Sequence, residues 1–313
     1  MPQPPKIIYG AFTFASLTQE EASKFVDVLE KYKVEELDTA RIYPGSEEAI
    51  GKFELPKSFI IDTKARGFGE GTLTKESINE SIEESFGLLG VESVEIFYLH
   101  CPDPATPLEE TLDAIDALYK EGKFKKFGVS NFSPEDVRKI YSYNKEKGYV
   151  LPTVYQGNYN AVGRKIETSL FPVLRELGLS FYAYSPIAGG FLAKTPEEVL
   201  GGKGRFDTSN HVGALYSKLY NKPLLIKGLG QWGKIAEKVG ISRASLAYRW
   251  VYNNSILDGK FGDGVIIGAR TPESLAENIE SLKAGPLDPE VVKEIEEIWT
   301  LVEKEAILDN YSH

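Results

Sequence analysis

With one cysteine in 313 residues the chain cannot close a disulfide on itself, and Cys101 cannot build a cysteine-rich metal site alone. Histidine is nearly as scarce. His100, His211 and His313 lie far apart in sequence, which argues against a structural zinc site. Runs of lysine and arginine are missing, and a net charge of -10 argues against a nucleic-acid surface. Nicotinamide nucleotides and other phosphates stay open as ligands, since they need only a local cluster of cations. No stretch approaches the roughly 18 apolar residues of a membrane span, and Met1-Pro2-Gln3-Pro4-Pro5 lacks the charged and apolar segments of a leader. These absences predict a soluble, cytoplasmic protein that works without membrane, nucleic acid or metal.

What is present is a regular alternation of short apolar runs with amphipathic helical patterns. Strands are expected at Ile7–Phe12, Glu35–Asp38, Ser58–Lys64, Val94–His100, Lys125–Ser130, Thr153–Gly157, Ser180–Tyr184 and Gly264–Ile267. Helical patterns fall at 18–32, 46–52, 74–89, 107–121, 133–147, 167–177, 224–239 with 242–253, and 272–283, with Thr18 as the first N-cap. Eight strands, each followed by helix, predict one (β/α)8 TIM barrel domain over 1–313, and Asp288 to Ala306 reads as an extra C-terminal helix. The rival architecture, a doubly wound open sheet, would carry a glycine-rich phosphate loop after its first strand, where this chain has none. A G-x-G-x-x-G pattern does occur at Gly228-Leu229-Gly230-Gln231-Trp232-Gly233. Leu225, Leu229, Trp232, Ala236 and Val239 recur at helical spacing through it, so a helix and not a phosphate-binding turn is expected there. One long loop, Ile187 to about Val212, has the length of a lid.

The chemistry gathers at the ends of strands 2, 3 and 4. Glu36-Leu37-Asp38-Thr39-Ala40-Arg41-Ile42-Tyr43 ends a strand and then offers a carboxylate and a phenol; Lys64 and His100 end the next two strands. In a barrel these ends converge, bringing together an acid, a base, a cation and a phenol suited to protonating a carbonyl oxygen. A free phenol has a pKa near 10, and an adjacent ammonium can lower it by roughly one to three units. Lys64 is expected to do so, with Asp38 holding Lys64 in place and His100 donating a second hydrogen bond to the developing alkoxide. Taken singly, each residue has a structural explanation: a capping Asp, a rim Tyr, a snorkelling Lys, a turn His.

Glu36-Leu37-Asp38-Thr39-Ala40 with Tyr43, the lysine ending strand 3, and Tyr98-Leu99-His100 resemble the Asp-Tyr-Lys-His set of the aldo-keto reductases. Leu99-His100-Cys101-Pro102-Asp103, Gly128-Val129-Ser130-Asn131, Leu151 to Gly157 and Ala188-Gly189-Gly190 are similar to the branch of aflatoxin-aldehyde and succinic semialdehyde reductases. The resemblance covers nearly the whole chain. It implies NADPH-dependent reduction of aldehydes and activated ketones or dicarbonyls, with the 4-pro-R hydride passing to the carbonyl carbon and Tyr43 giving the proton. It also implies cofactor positions. Ser130, Asn131 and Gln156 would hydrogen-bond the carboxamide and Tyr184 would stack on the nicotinamide. Ser185, Pro186, Ile187 and Gly189 would run over the pyrophosphate, with Lys194 and Arg205 pairing with it. Gly268, Arg270, Ser274, Glu277 and Asn278 would hold the adenosine end, Arg270 and Ser274 at the 2′-phosphate.

Two departures bear on substrate. Mammalian members of the branch end in Asn-Tyr-Phe-Arg, whose arginine is credited with holding a substrate carboxylate, whereas this tail reads Asn310-Tyr311-Ser312-His313; the loop from Ile187 to Arg205 also differs. The expected partner is a small aldehyde or ketone and the expected assembly a monomer or homodimer. The alternative from another class is an NADPH-binding regulatory module resembling potassium-channel β subunits, in which asparagine commonly replaces the histidine kept here as His100.

Overall fold

The computed structural model describes residues 3–311, so Ser312 and His313 of the tail lie outside the described residues. Eight parallel strands follow one another around a closed barrel: β1 (Lys6–Gly10), β2 (Glu36–Asp38), β3 (Ile60–Lys64), β4 (Val94–Leu99), β5 (Phe124–Ser130), β6 (Pro152–Asn158), β7 (Ser180–Tyr184) and β8 (Gly264–Ile267). The seam is the parallel pairing of β1 with β8, from Lys6 opposite Gly264 to Tyr9 opposite Ile267. It is extended by the Lys6 N–H on the Asp263 carbonyl and the Gly259 N–H on the Gln3 carbonyl, both 2.8 Å. The expected (β/α)8 barrel is the architecture, and the helix Pro289–Val302 is the additional C-terminal one. No helix among the described residues is long and apolar enough to cross a membrane.

Period-two alternation sorts the strand side chains into two populations. Leu37, Ile61, Phe97, Val129, Tyr155, Phe181 and Val265 point outward and join the large core between barrel and helices. Ile8, Ile96, Tyr98, Val154, Tyr182 and Ile266 form a separate cluster within the barrel. The surrounding helices bury one stripe each, as Ile78, Ile82, Phe86 and Leu89 do in Lys75–Leu89. Thr18 caps Gln19–Tyr32 through reciprocal bonds with Glu21, as its position suggests.

Beyond shifts of one or two residues at strand and helix ends, four differences from expectation matter to the site or the chain path. β1 stops at Gly10, and Ala11–Ser16 coil into a 3-10 turn that carries Phe12 to the barrel mouth. β4 stops at Leu99, leaving His100 just beyond it. The expected helix 167–177 is broken into Ile166–Ser169 and Phe171–Leu177, because Pro172 has no N–H with which to continue the ladder. The stretch Ile187 to Val212 is not simply a loop: it holds the helix Pro196–Leu200 and the start of another, His211–Tyr220. That second helix was legible, since Val212, Leu215, Tyr216, Leu219 and Tyr220 fall at helical spacing behind the cap Asn210.

The glycine pattern lies within the helix Pro223–Val239, as its apolar periodicity requires. Two of its glycines serve packing. A Cβ at Gly228 would sit 2.6 Å from Val302 Cγ1 of the C-terminal helix, and one at Gly233 would sit 1.9 Å from the Arg243 guanidinium.

Candidate active site

The loop leaving β2 is pinned before it reaches Tyr43. Thr39 and Ser46 share a hydroxyl bond of 2.8 Å, and the Ser46 hydroxyl also reaches the Ala11 carbonyl at 3.2 Å. The Arg41 N–H donates to the Lys64 carbonyl at 3.1 Å and the Tyr43 N–H to the Ala40 carbonyl at 2.9 Å. This fixes the half-buried Tyr43 at the mouth, with its ring edge-on to His100 (centroids 5.8 Å apart) and to Phe12 (5.7 Å). The four residues singled out from strand ends 2, 3 and 4 therefore do converge.

Lys64 is fully buried, and its ammonium has three acceptors: Asp38 Oδ1 at 2.7 Å, Asp38 Oδ2 at 2.8 Å and the Thr39 carbonyl at 2.7 Å. Three protons meet three oxygens, so none is left for the Tyr43 hydroxyl; the ammonium stands 5.5 Å from the Tyr43 ring centroid. The acidity of the phenol accordingly runs opposite to the sequence expectation. Burial raises the Tyr43 pKa above its ordinary value, and the charge of Asp38 and the neighbouring Tyr216 hydroxyl raise it further. Lys64 does not lower it here because Asp38 neutralises the ammonium at contact. His100 is held neutral: burial first, then the Lys64 charge, push its pKa well below the usual imidazole range. Its Nδ1 is buried without a partner, and a neutral imidazole keeps one N–H to give.

Exposed aromatic rings wall the opening. Phe12 and Phe68 are about half exposed; Phe68 lies edge-on to His100 at 5.2 Å, with Tyr311 of the tail 6.1 Å beyond it. Phe68 holds a left-handed backbone, φ 62, and its N–H reaches Cys101 Sγ at 3.1 Å. Retaining a non-glycine residue there costs on the order of 1–3 kcal/mol. The neighbouring cations are occupied by acids: Arg41 pairs with Glu47 and Glu84, and Arg66 with Glu80 and Glu84. The sequence reading missed Phe12, Phe68 and Tyr216. For Phe68 the signal was an aromatic residue set between Gly67 and Gly69.

The residues marked for a nucleotide lie along the same face. Tyr184 donates to Asn131 Oδ1 at 2.9 Å, and Asn131 Nδ2 donates to the Ser130 hydroxyl at 3.1 Å and the His100 carbonyl at 3.0 Å. Gln156 gives its amide to Asp38 Oδ1 at 2.8 Å, a bond the sequence did not suggest. After β7 the backbone turns left-handed at Ser185, Ala188, Gly189 and Gly190, with Pro186 and Ile187 between. Such a turn directs N–H groups to one side and suits an anion. Gly189 has no alternative residue, because a Cβ there would lie 1.8 Å from Tyr216 Cε1. Lys194 and exposed Arg205 make no ion pair among the described residues; the Arg205 guanidinium lies 5.2 Å over the Tyr216 ring. Beyond β8, Gly268 accepts from Asn278 Nδ2 at 3.1 Å, and exposed Arg270 precedes the helix Pro272–Lys283, which also carries exposed Glu277. Ser274 is spent locally in a capping box with Thr271, so at this end anion binding falls to Arg270 and the helix N-terminus. Left-handed turn, unpaired cations and helix N-terminus together form a donor set that fits a nicotinamide nucleotide.

A model of the aldo/keto reductase family matches residues 6–300. A protein of Leptosphaeria maculans named oxidoreductase sirO is 40% identical over 318 residues, spanning 97% of each chain. Human aldo-keto reductase family 7 member A3 is 39% identical over 87% of this chain and 86% of its own, and human aflatoxin B1 aldehyde reductase member 2 is 39% identical over 87% and 79%.

Proposed function

Because the chain belongs to the aldo/keto reductase family, we propose that it reduces aldehydes, and ketones or dicarbonyls activated like them, to alcohols with NADPH, Tyr43 serving as proton donor. What supports this most is the meeting of Tyr43 and neutral His100 above the buried Lys64–Asp38 pair. NADPH, when bound, supplies the hydride. Ser130, Asn131 and Gln156 would hold its carboxamide and Tyr184 its ring. Ser185 to Gly189 with Lys194 and Arg205 would hold the pyrophosphate, and Gly268, Arg270, Glu277 and Asn278 the adenosine end. Tyr43 protonates the oxygen as charge develops on it, and His100 orients that oxygen by donating a hydrogen bond. The curated relatives include proteins named aflatoxin B1 aldehyde reductases, which supports an aldehyde as substrate. The test is loss of NADPH absorbance with 4-nitrobenzaldehyde. Tight NADPH binding with no turnover of any carbonyl would replace this reading with a binding module.

Cofactor preference is expected to rest on Arg270. A charge-assisted bond to phosphate contributes about 1.5–3 kcal/mol, so Arg270→Ala should weaken NADPH binding roughly ten- to a hundredfold while NADH binding changes little. Fluorescence titration of both cofactors measures this, and equal losses would remove Arg270 from the 2′-phosphate.

Substrate charge is expected to matter little. The aromatic wall offers dispersion contacts, and the nearby cations are occupied. Succinic semialdehyde and butanal should therefore have kcat/KM values within about tenfold of each other. An advantage for the acid beyond roughly a hundredfold, near 3 kcal/mol, would require another cation in the pocket.

A further inference from the structure

Below the Lys64–Asp38 pair the barrel contains charge that the proposed chemistry does not use. Asp62 lies opposite Asp38 in the β2–β3 register, and Tyr98 lies opposite Lys64 in β3–β4. Glu36, Asp38, Asp62, Lys64 and Tyr98 are all buried, Asp62 and Lys64 completely. Each ammonium is already taken. Lys64 is spent on Asp38 and Thr39, while Lys6, half exposed at the barrel floor, bonds Glu36 Oε2 at 2.6 Å and the Tyr182 hydroxyl at 3.3 Å. Both Asp62 oxygens, Glu36 Oε1 and the Tyr98 hydroxyl are left buried without a partner. The remaining strands offer Asp62 no partner: Ile8, Val154 and Ile266 are apolar, Gly128 only makes room for the Tyr98 ring, Lys126 is paired with Glu95 at 3.0 Å, and the Tyr182 hydroxyl of β7 is taken up by Lys6 and Glu36. An ionised Asp62 in that position would be a charge without water or a hydrogen-bond donor, and a buried carboxylate so placed is neutralised instead.

We propose that one proton is shared between Asp62 and Glu36 inside the barrel, and that this makes Asp62 a positioning residue: as a neutral acid it leaves Asp38 the only counter-ion of Lys64. The proton satisfies two orphaned oxygens at once, since Asp62 donates and Glu36 Oε1 accepts. The acidity runs the same way: burial first, then the charge of Glu36 and a hydrogen bond to it, hold the Asp62 carboxyl well above the usual carboxylate range. Asp38 adds to this and Lys64 only partly offsets it. When the proton leaves, a second anion faces Lys64 from beneath, draws the ammonium away from Asp38 and Thr39, and so disturbs the floor under Tyr43. The group is neutral at low pH and ionises as pH rises, so the effect is on the alkaline side.

The role rests on the reductase reading above, but the experiment separates the two. Infrared difference spectra of the whole protein at neutral pH should contain the carbonyl stretch of an un-ionised carboxylic acid, absent in Asp62→Asn and altered in Glu36→Gln. In turnover, Asp62→Ala should lower kcat at least about tenfold with KM little changed, and Asp62→Asn should restore it to within about threefold. Asp62→Asn should also move the alkaline fall in kcat upward by about one pH unit or more. A wild-type spectrum without the acid band overturns the shared proton whether or not the enzyme turns over or the variants fold. With the band present, an unmoved alkaline limb, or an asparagine variant no better than alanine, overturns the positioning role. Failure of the wild type to reduce any carbonyl defeats the reductase reading instead and leaves the infrared result to judge the proton.

Discussion

Tyr43→Phe is expected to lower single-turnover NADPH oxidation at least about a hundredfold while NADPH affinity and thermal stability change little. The ring keeps its edge contacts with His100 and Phe12, and only the hydroxyl is lost. The raised pKa of the phenol does not stand against this. An alkoxide is a stronger base than the phenolate it leaves behind, so transfer stays downhill, and a raised value keeps the donor loaded over the whole working range of pH. Lys64 then acts as the proton moves, when negative charge develops on the phenol oxygen near its ammonium. Combining Tyr43→Phe with Lys64→Met should cost far less than the product of the single losses, because both serve one proton transfer. A Tyr43→Phe rate above about a tenth of wild type, a loss under roughly 1.4 kcal/mol, would mean that the proton comes from His100 or water.

The second large effect is on stability. Lys64→Met removes the cation from a buried pair and leaves Asp38 with the Gln156 amide at 2.8 Å as its remaining side-chain donor. Breaking such a pair costs about 3–5 kcal/mol, whereas replacing both members with apolar side chains of similar volume is often neutral or better. Asp38→Leu with Lys64→Met should therefore regain most of the stability lost by Lys64→Met while staying inactive. Urea midpoints at constant slope measure both. A single variant less than about 1 kcal/mol below wild type would show that water solvates the pair and that it is not dry.

Much of this was legible in the sequence, for identifiable reasons. Short apolar runs alternating with helical faces gave the eight strands, and Leu225, Leu229 and Trp232 at helical spacing identified the glycine pattern as part of a helix. Asp38, Tyr43, Lys64 and His100 could be found because a barrel gathers strand ends, a property of topology alone. The direction of the Tyr43 shift could not be found, since it is set first by how deeply the folded barrel buries the phenol and then by the charge of Asp38 beside it, neither of which a side-chain pattern encodes. Gln156 and Asp38 meet across 118 residues of chain, and nothing local marks either for the other. Phe68 is marked in the sequence only by its flanking glycines, and its place in the wall follows from its left-handed backbone and its distance to His100.

The seam between β1 and β8 also bears on how the chain is made. Its two strands are roughly 260 residues apart in sequence, and a ribosome adding about 5–20 residues per second needs on the order of ten seconds to a minute to deliver the second after the first. Through that interval the open side of β1 is an unpaired strand edge, the kind of surface on which nascent chains aggregate. Closure is the longest-range pairing in the barrel and cannot precede the last strand, so the fold is completed only after nearly all of the protein has been synthesised. A stalled or truncated chain lacking β8 would keep the residues from Asp38 to Gln156 and still be an open sheet, a natural substrate for chaperones and proteases.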